Sequence, residues 1–305
     1  MKNKKDIRGA SPNVVKILLI SFAVLAVLLA AAVLAFYLAG FRRLTVTYLS
    51  SADGSEQTIS FTGFVDRDGS LKSGKLFYET GSAEVGTDEN GTTVLTFSNG
   101  DVYEGEMDGL QRQGRGIMTY KTGERYEGSF ENDRFHGSGR YTYANGDFYE
   151  GQFRGGRKSG RGKYVWSAAN GGAVYEGMFE GDLRSGYGVY TEPSGAYYKG
   201  NYQNDLRNDE SAEAAIAVTG GFDRYFGGYK NDKRAGWGVY FYANGDVYVG
   251  NFENNNLNGA GTIYCVDGTS YTGVFEQGNI KLENVTEIPR EEAAAKLAEL
   301  NGQYR

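Results

Sequence analysis

Tyr126-Glu127-Gly128-Ser129-Phe130, then His136-Gly137-Ser138-Gly139-Arg140-Tyr141-Thr142-Tyr143, Asn145-Gly146-Asp147 and Tyr149-Glu150-Gly151, is the stretch that decides the fold. In an extended backbone side chains alternate at period two, so Tyr126, Gly128 and Phe130 share one face while Glu127 and Ser129 take the other. The return stretch from Gly137 alternates in the same sense. Asn145-Gly146 between strands predicts a type I′ turn, with positive φ at both central residues. The passage reads as β-hairpins in which glycines leave room for rings from neighbouring units to lie across the sheet.

Outward from this stretch the unit returns. Tyr-x-Gly begins at Tyr103, Tyr126, Tyr149, Tyr175, Tyr198, Tyr225, Tyr248 and Tyr271, at spacings of 23, 23, 26, 23, 27, 23 and 23 residues. Eleven residues after most of these tyrosines stands a Gly-x-Gly, as at Gly114/Gly116, Gly160/Gly162, Gly186/Gly188, Gly236/Gly238 and Gly259/Gly261. Two weaker copies precede them, near Phe61 and Glu84. Such a period is the mark of a repeat architecture, in which one hairpin is marginal alone and stacked hairpins share a continuous core.

These units, Tyr-Glu-Gly-x-Phe followed by His136-Gly137-x-Gly139, Tyr143, Asn145-Gly146-Asp147 and Tyr149-Glu150-Gly151, resemble MORN repeats. The resemblance covers residues 61–280 in about ten copies and implies an all-β fold, an elongated single-layer antiparallel sheet of stacked hairpins with an aromatic-lined groove. The unit from Tyr198 departs from the pattern. It lacks its Gly-x-Gly and carries four extra residues, so an irregular loop or bend is expected across 203–224. Three extra residues at Ser167–Gly172 lengthen one turn.

The ends need cover, because an open sheet leaves unpaired backbone groups. Residues 42–60 read as a linker and edge strands around Asp53-Gly54. Over 281–305, Pro289 followed by Glu291 and Glu292, with Gly302 beyond the last apolar residue, predicts a short capping helix packed through Ala293, Leu297 and Leu300.

Residues 1–16 are basic, and Ile17–Ala39 is a run of 23 residues without a charge. At 1.5 Å per residue it reaches about 35 Å, enough for a bilayer core of roughly 30 Å, so residues 17–41 are expected to form a transmembrane helix. A cleavable signal peptide competes, given the small residues Ala39-Gly40, but its apolar region usually runs only about 7 to 15 residues. Lys2, Lys4, Lys5, Arg8 and Lys16 precede the span and Arg42 and Arg43 follow it. That bias places the N-terminus in the cytoplasm and the repeats outside the cell membrane.

Composition limits the chemistry. Glycine makes up 46 of 305 residues and proline 3, which excludes collagen, and 24 Tyr with 17 Phe exclude a solvated disordered polymer. One His and one Cys exclude an intrachain disulfide and leave little for a zinc site, so no metal and no cofactor is expected. Net charge is −6, and residues 44–305 carry 25 Lys and Arg against 37 Asp and Glu, which argues against nucleic acid as a partner.

His136 precedes a Gly-x-Gly where other units carry Gln113, Ser159, Ser185, Ala235 or Asn258, so the repeat explains it better than catalysis does. Cys265 fills a slot held elsewhere by Tyr120, Tyr143 and Trp166 and reads as core. No Gly-x-Gly continues into a dinucleotide fingerprint, and Gly155-Gly156-Arg157-Lys158-Ser159-Gly160 is no phosphate loop, since Arg157 intervenes before Lys158. Glu104, Glu127, Glu150 and Glu176 recur about 10 Å apart, too far for a paired-carboxylate site. No catalytic residue is assigned, and after residue 280 no further domain is expected.

Two binding candidates follow. The repeating tyrosines would form a ring-lined face for an extended peptide or another sheet, with a simple core as the competing reading. Arg154, Arg157, Lys158, Arg161 and Lys163 form the densest basic cluster beyond the anchor, an anion-binding patch for lipid or envelope polymer. The expected function is a membrane-anchored, non-catalytic scaffold with a protein partner or self-association, ahead of anionic lipid or polymer binding and of an envelope enzyme.

Overall fold

The computed structural model describes the backbone of residues 12–49, 56–218 and 221–304. The chain divides into two compact units, 1–111 and 112–305. The Asp53-Gly54 turn and the basic residues before Pro12 lie outside the described residues.

In the first unit a helix, α1, spans Pro12–Leu38, beginning earlier than expected because proline suits the first helical turn. Gly40, at φ 93°, ends it: a Cβ there would stand 2.4 Å from the Val65 carbonyl oxygen. The helix foot is fixed by three rings, with Phe36 5.8 Å from Phe41 and Phe41 5.4 Å from Phe64. Arg42, counted in the sequence as a flanking charge, donates to the Tyr37 carbonyl at 2.7 Å and lies over the Tyr37 ring. Phe22, Leu28, Val33 and Leu38 are exposed. Taken over the described residues alone, no helix is long and apolar enough to cross a membrane.

The strands of this unit form an antiparallel meander. Phe41–Leu49 pairs with Glu56–Val65 through nine residue pairs without a bulge. Leu71–Tyr78, Gly81–Thr87, Thr93–Phe97 and Val102–Asp108 follow, each beside its predecessor. The two weak copies are hairpins. Phe61, fully buried, covers Gly63 and Gly74 as the tyrosines do elsewhere, whereas Ala83, Val85 and Leu95 fill the second copy with aliphatic side chains.

The second unit is an open antiparallel sheet in which Gln111–Thr119, Arg125–Glu131, Arg134–Thr142, Phe148–Arg154 and the strands after them pair in chain order. Two kinds of turn alternate, and they reverse the expectation. The Asn-Gly pairs do not make type I′ turns. The Gly146 amide donates to the Tyr143 carbonyl and only Gly146 has positive φ (86°), the three-residue loop with a glycine bulge. Type I′ geometry falls at the other end of each hairpin, at Asn132-Asp133 (φ 49° and 65°) and Asn204-Asp205 (φ 51° and 69°), where a short polar side chain tolerates the left-handed region.

The irregular segment also differs from expectation. Leu206–Arg207 is a short strand, the chain breaks step at Asn208, and the register shifts between Asp209 and Ala212. Beyond the shift the extra residues lengthen a regular hairpin, Asp209–Val218 with Gly221–Lys230, and Ala212 and Ala214 lie beside Gly200 and Tyr198 of the preceding hairpin. The three extra residues before Tyr175 form a 3₁₀ turn at Ala168–Asn170.

The C-terminal helix, α2, spans Arg290–Gln303 and includes Gly302, which the sequence placed beyond its end. Ala293 and Leu300 are buried, and Leu297 and Tyr304 pack with Leu300 on Val239, Phe241 and Val247. The intervals of four, three and four residues make one helical stripe. Arg224 fixes the far end by donating to the Tyr304 carbonyl at 2.9 Å.

Candidate interaction surface

From Tyr126 to Tyr248, the hairpins of the second unit bury their tyrosines. Tyr126 lies flat over the glycine two residues ahead and over a glycine on the return strand: a Cβ on Gly128 or Gly139 would stand 2.5 Å from its hydroxyl oxygen. That hydroxyl donates to the Ser129 carbonyl at 2.8 Å, so the buried polar tip is satisfied. Tyr149, Tyr175, Tyr198, Tyr225 and Tyr248 repeat the bond to the third residue ahead, at 2.9, 3.1, 2.9, 2.9 and 3.1 Å, and Tyr103 does so at 2.6 Å. Phenylalanines or tyrosines pack edge-on against them, as Phe179 does 5.2 Å from Tyr175 and 5.0 Å from Tyr149. The two glycines of Gly-x-Gly thus differ in role. Gly139 makes room for the ring, while Gly137, at φ 56°, supplies the left-handed residue of the bulge.

An exposed tyrosine face is therefore not what these residues form. Tyr103, Tyr126, Tyr149, Tyr175, Tyr198, Tyr225 and Tyr248 are at most 2% exposed, and only Tyr271 is half-buried. Burial pushes the phenol pKa of Tyr175 and of Tyr248 up to about 12, and those of Tyr126, Tyr149, Tyr198 and Tyr225 further. Alternation in the sequence separates two faces but does not say which is core, and the ring that covers its own glycines settles it.

Cations close this face at the hairpin ends. Asp205, in the left-handed part of its turn, accepts the backbone N–H of Arg184 at 2.9 Å and its Nε at 3.0 Å. The Arg184 guanidinium then lies 4.7 Å from the Tyr202 ring and 5.6 Å from the Tyr175 ring. Arg112 with Asp133 and Arg207 with Asp232 repeat the clasp, Arg234 makes it with Asn255, and Lys158 with Asp182 keeps only the backbone bond.

That places Lys158 apart from the other members of the basic cluster. It packs over Tyr149, Tyr164 and Phe179, and burial lowers its pKa. Arg154 faces Arg157 across the Gly155-Gly156 turn, Arg161 pairs with Met178, and Lys163 holds Glu176 at 2.6 Å. Lys158 shares its rung with Phe153 on the ring face, so the five residues do not form one patch.

His136 is half-exposed, with Nδ1 2.9 Å from Glu131. Burial raises the pKa of Cys265, which disfavours its thiolate. Among the described residues no group of three or more His, Cys, Asp or Glu is placed to hold a metal.

The opposite face remains. Residues paired directly across strands share a face, and from Glu127 the rungs run Arg140, Glu150, Lys163 and Glu176, alternating in charge. The sequence exposed the glutamates of this ladder, but its cations lie on the return strands, which the Tyr-Glu-Gly pattern passes over. Further along, Phe226, Val239 and Val249 take the same rungs, and there α2 covers the sheet. Between lies an open groove of about 920 Å³, lined by Glu150, Lys163, Val174, Glu176, Met178 and Val189 among others. Tyr187, 57% exposed, borders it, and Trp237, 59% exposed, borders a second hollow beside Asn208 and Asp209. Both are the middle residue of a Gly-x-Gly, the position that points away from the tyrosines. Arg115, Ser138, Arg161 and Ala260 in that slot made it look variable, and two aromatics among them were the available signal.

The MORN repeat family matches residues 103–125, 126–148, 149–168, 175–197, 225–247 and 248–270. The matches fall on six of the Tyr-x-Gly copies, and the unmatched ones are the Phe61 copy, the copy with aliphatic filling, the copy with the broken Gly-x-Gly and the copy at the C-terminal edge. No curated protein matches. Among solved structures, the wild-type TCP10 domain of Danio rerio CPAP in complex with a peptide of Danio rerio STIL is 13% identical, covering 81% of this chain and 99% of that one at a TM-score of 0.39. The TCP domain of Drosophila melanogaster SAS-4 in complex with a proline-rich motif of Ana2 is 12% identical, covering 63% and 90% at 0.30. Likeness of this degree assigns neither fold nor partner.

Proposed function

We propose that this chain is a membrane-anchored, non-catalytic scaffold whose repeat sheet offers its charged face to protein partners. The observation that carries the reading is the division of the sheet. One face is closed by its own tyrosines, and the other keeps a charge ladder, an apolar groove and the exposed Tyr187 and Trp237. Exposed aromatic side chains in a charged, apolar-floored groove are the composition of protein interfaces.

The anchor is α1, whose exposed apolar side chains have no protein cover and suit hydrocarbon, with the uncharged run Ile17–Ala39 supplying the length. The charge bias around it puts the N-terminus in the cytoplasm and the repeats outside. A tag after Arg305, tested for protease access in intact and permeabilised cells, checks this. Cleavage in intact cells is expected. Cleavage only after permeabilisation would make the protein a scaffold on the cytoplasmic side.

Anion binding is the second reading, favoured by the exposed pair Arg154 and Arg157 set across one turn. It predicts retention on anionic vesicles that falls steeply with salt and disappears in the R154A/R157A/R161A variant.

A further inference from the structure

The groove beside Tyr187 and the seat of α2 are the same site in two copies of the repeat. Around Tyr248 the rungs at this seat are Phe226 and Val239 on the strands before it, Val247 and Val249 beside it, and Thr262 and Tyr264 after it, and all but Thr262 pack with Phe241 in the cluster that holds α2. Around Tyr175 the ladder puts Glu150, Lys163, Val174, Glu176, Val189 and Thr191 at those six places, through the same pairings. These six residues line the open groove. The register repeats these places in other hairpins too, as Glu127, Arg140, Phe148, Glu150, Lys163 and Val165 around Tyr149, but around Tyr175 they stand open over an apolar floor and around Tyr248 α2 fills them.

The two beds differ in side chains rather than in backbone. Phe226, Val239 and Val249 under α2 become Glu150, Lys163 and Glu176, while Val174, Val189, Met178 and Tyr187 keep an apolar floor. Met178 is 40% exposed and Tyr187 57%, more apolar surface than an exposed strand ladder needs. Lys163 and Glu176 pair with each other at 2.6 Å and stay about half exposed, so each keeps capacity for a second charge. Two acids, Glu150 and Glu176, and two bases, Arg161 and Lys163, make the rim neutral in sum and patterned in sign.

The geometry points to a second helix seat at Glu150–Thr191, taken by an amphipathic α-helix of a partner protein. This rests on the scaffold reading and names the partner's chemistry. The helix carries an apolar stripe at the intervals Ala293, Leu297, Leu300 and Tyr304 show in α2, four, three and four residues apart. Where α2 pairs its own Lys296 and Glu299 at 2.7 Å, this helix turns an acidic and a basic side chain beside the stripe towards the sheet, to meet Lys163 with Arg161 and Glu150 with Glu176.

The test is selection of phage-displayed 16-residue peptides on the intact protein in detergent micelles, followed by titration of the enriched peptides as synthetic, fluorescent probes. Enriched sequences with the four-three-four stripe and flanking charges of both signs are expected, gaining helical circular dichroism when bound. Their affinity should fall at least tenfold in M178E/Y187E, two exposed positions. The charge-reversed K163E/E176K protein, which keeps the ion pair, should prefer peptides with their charges exchanged. Proline-rich or extended peptides, affinity unchanged in both variants, or no enrichment would overturn the seat. Peptides that bind both variants equally would discard this seat while leaving the scaffold reading in place, and the tag experiment fails or succeeds independently of either.

Discussion

Tyr175 lies over Gly188 of the next strand so closely that a Cβ on that glycine would stand 2.3 Å from the tyrosine hydroxyl oxygen. The ring and the missing side chain are one feature of the fold, divided between two strands. Replacing Gly188 with valine forces the ring out and should destabilise the protein by about 3 kcal/mol. Y175A leaves a cavity and should cost about 3–5 kcal/mol. In the double variant the clash is gone, so urea unfolding should show a cost below the sum of the two by more than about 1 kcal/mol. Additive costs would mean that the ring and the glycine act separately.

The clasp of Arg184 on Asp205 ties one hairpin to the turn of the next. D205A leaves the Arg184 backbone N–H and its guanidinium short of an acceptor, and should lower stability by about 1–2 kcal/mol. R184K should recover little, because an ammonium lacks the planar fork that engages the Asp205 carboxylate, its backbone carbonyl and the Tyr202 face together. Urea midpoints of the two variants measure this, and a fully stable R184K would sink it.

Alkaline pH should unfold this protein through its buried phenols. Burial raises the folded-state pKa of Tyr175 and Tyr248 from 10.0 to about 12, and burial with the hydrogen bond to Asp223 does the same for Tyr240. A raised pKa means that the folded state holds its protons longer than the unfolded chain, so stability is fully present below pH 10 and is lost as pH climbs from there towards 12. Urea midpoints should be flat from pH 7 to 9 and fall beyond 10. Absorbance at 295 nm should show these phenols ionising only with unfolding.

Leu300 joins α2 to the sheet. L300A should cost about 2–3 kcal/mol, and L300D should release the helix and uncover Val239, Phe241 and Val247. A rise in fluorescence of an apolar-surface dye, with strand circular dichroism retained, is the expected reading. Dye binding equal to that of the parent protein would show that α2 contributes no cover.

The hairpins were legible in the sequence because Tyr, Gly and the polar turn pairs recur at fixed offsets, and period two assigns faces residue by residue. What lies beneath was less legible. Alternation could not say which face was core, since Tyr126 and Glu127 differ only in side and the deciding contact joins Tyr126 to Gly139, thirteen residues on. Nearness along the chain also misleads: Lys158 and Lys163 belong to one basic cluster, yet an odd separation of five residues in a strand puts them on opposite faces. The turns misled for a related reason: Asn145-Gly146 has the composition of a type I′ turn, but its loop is one residue longer than that turn permits. Tyr187 stood where other copies have Arg or Ser, and its worth shows only beside Val189, Met178 and the bed that α2 fills elsewhere.

Because each tyrosine closes over glycines of its own hairpin, a unit of the second sheet brings its interior with it. Duplicating or deleting 23 residues there would leave the neighbouring interiors whole, provided the join restores the Arg–Asp clasp and the ring that packs between successive tyrosines, as Phe179 does between Tyr149 and Tyr175. Lineages could therefore lengthen or shorten this protein in steps of about 10 Å, the width of two strands, with no other adaptation in the core. Reach is then a property that selection can tune independently of what the sheet binds.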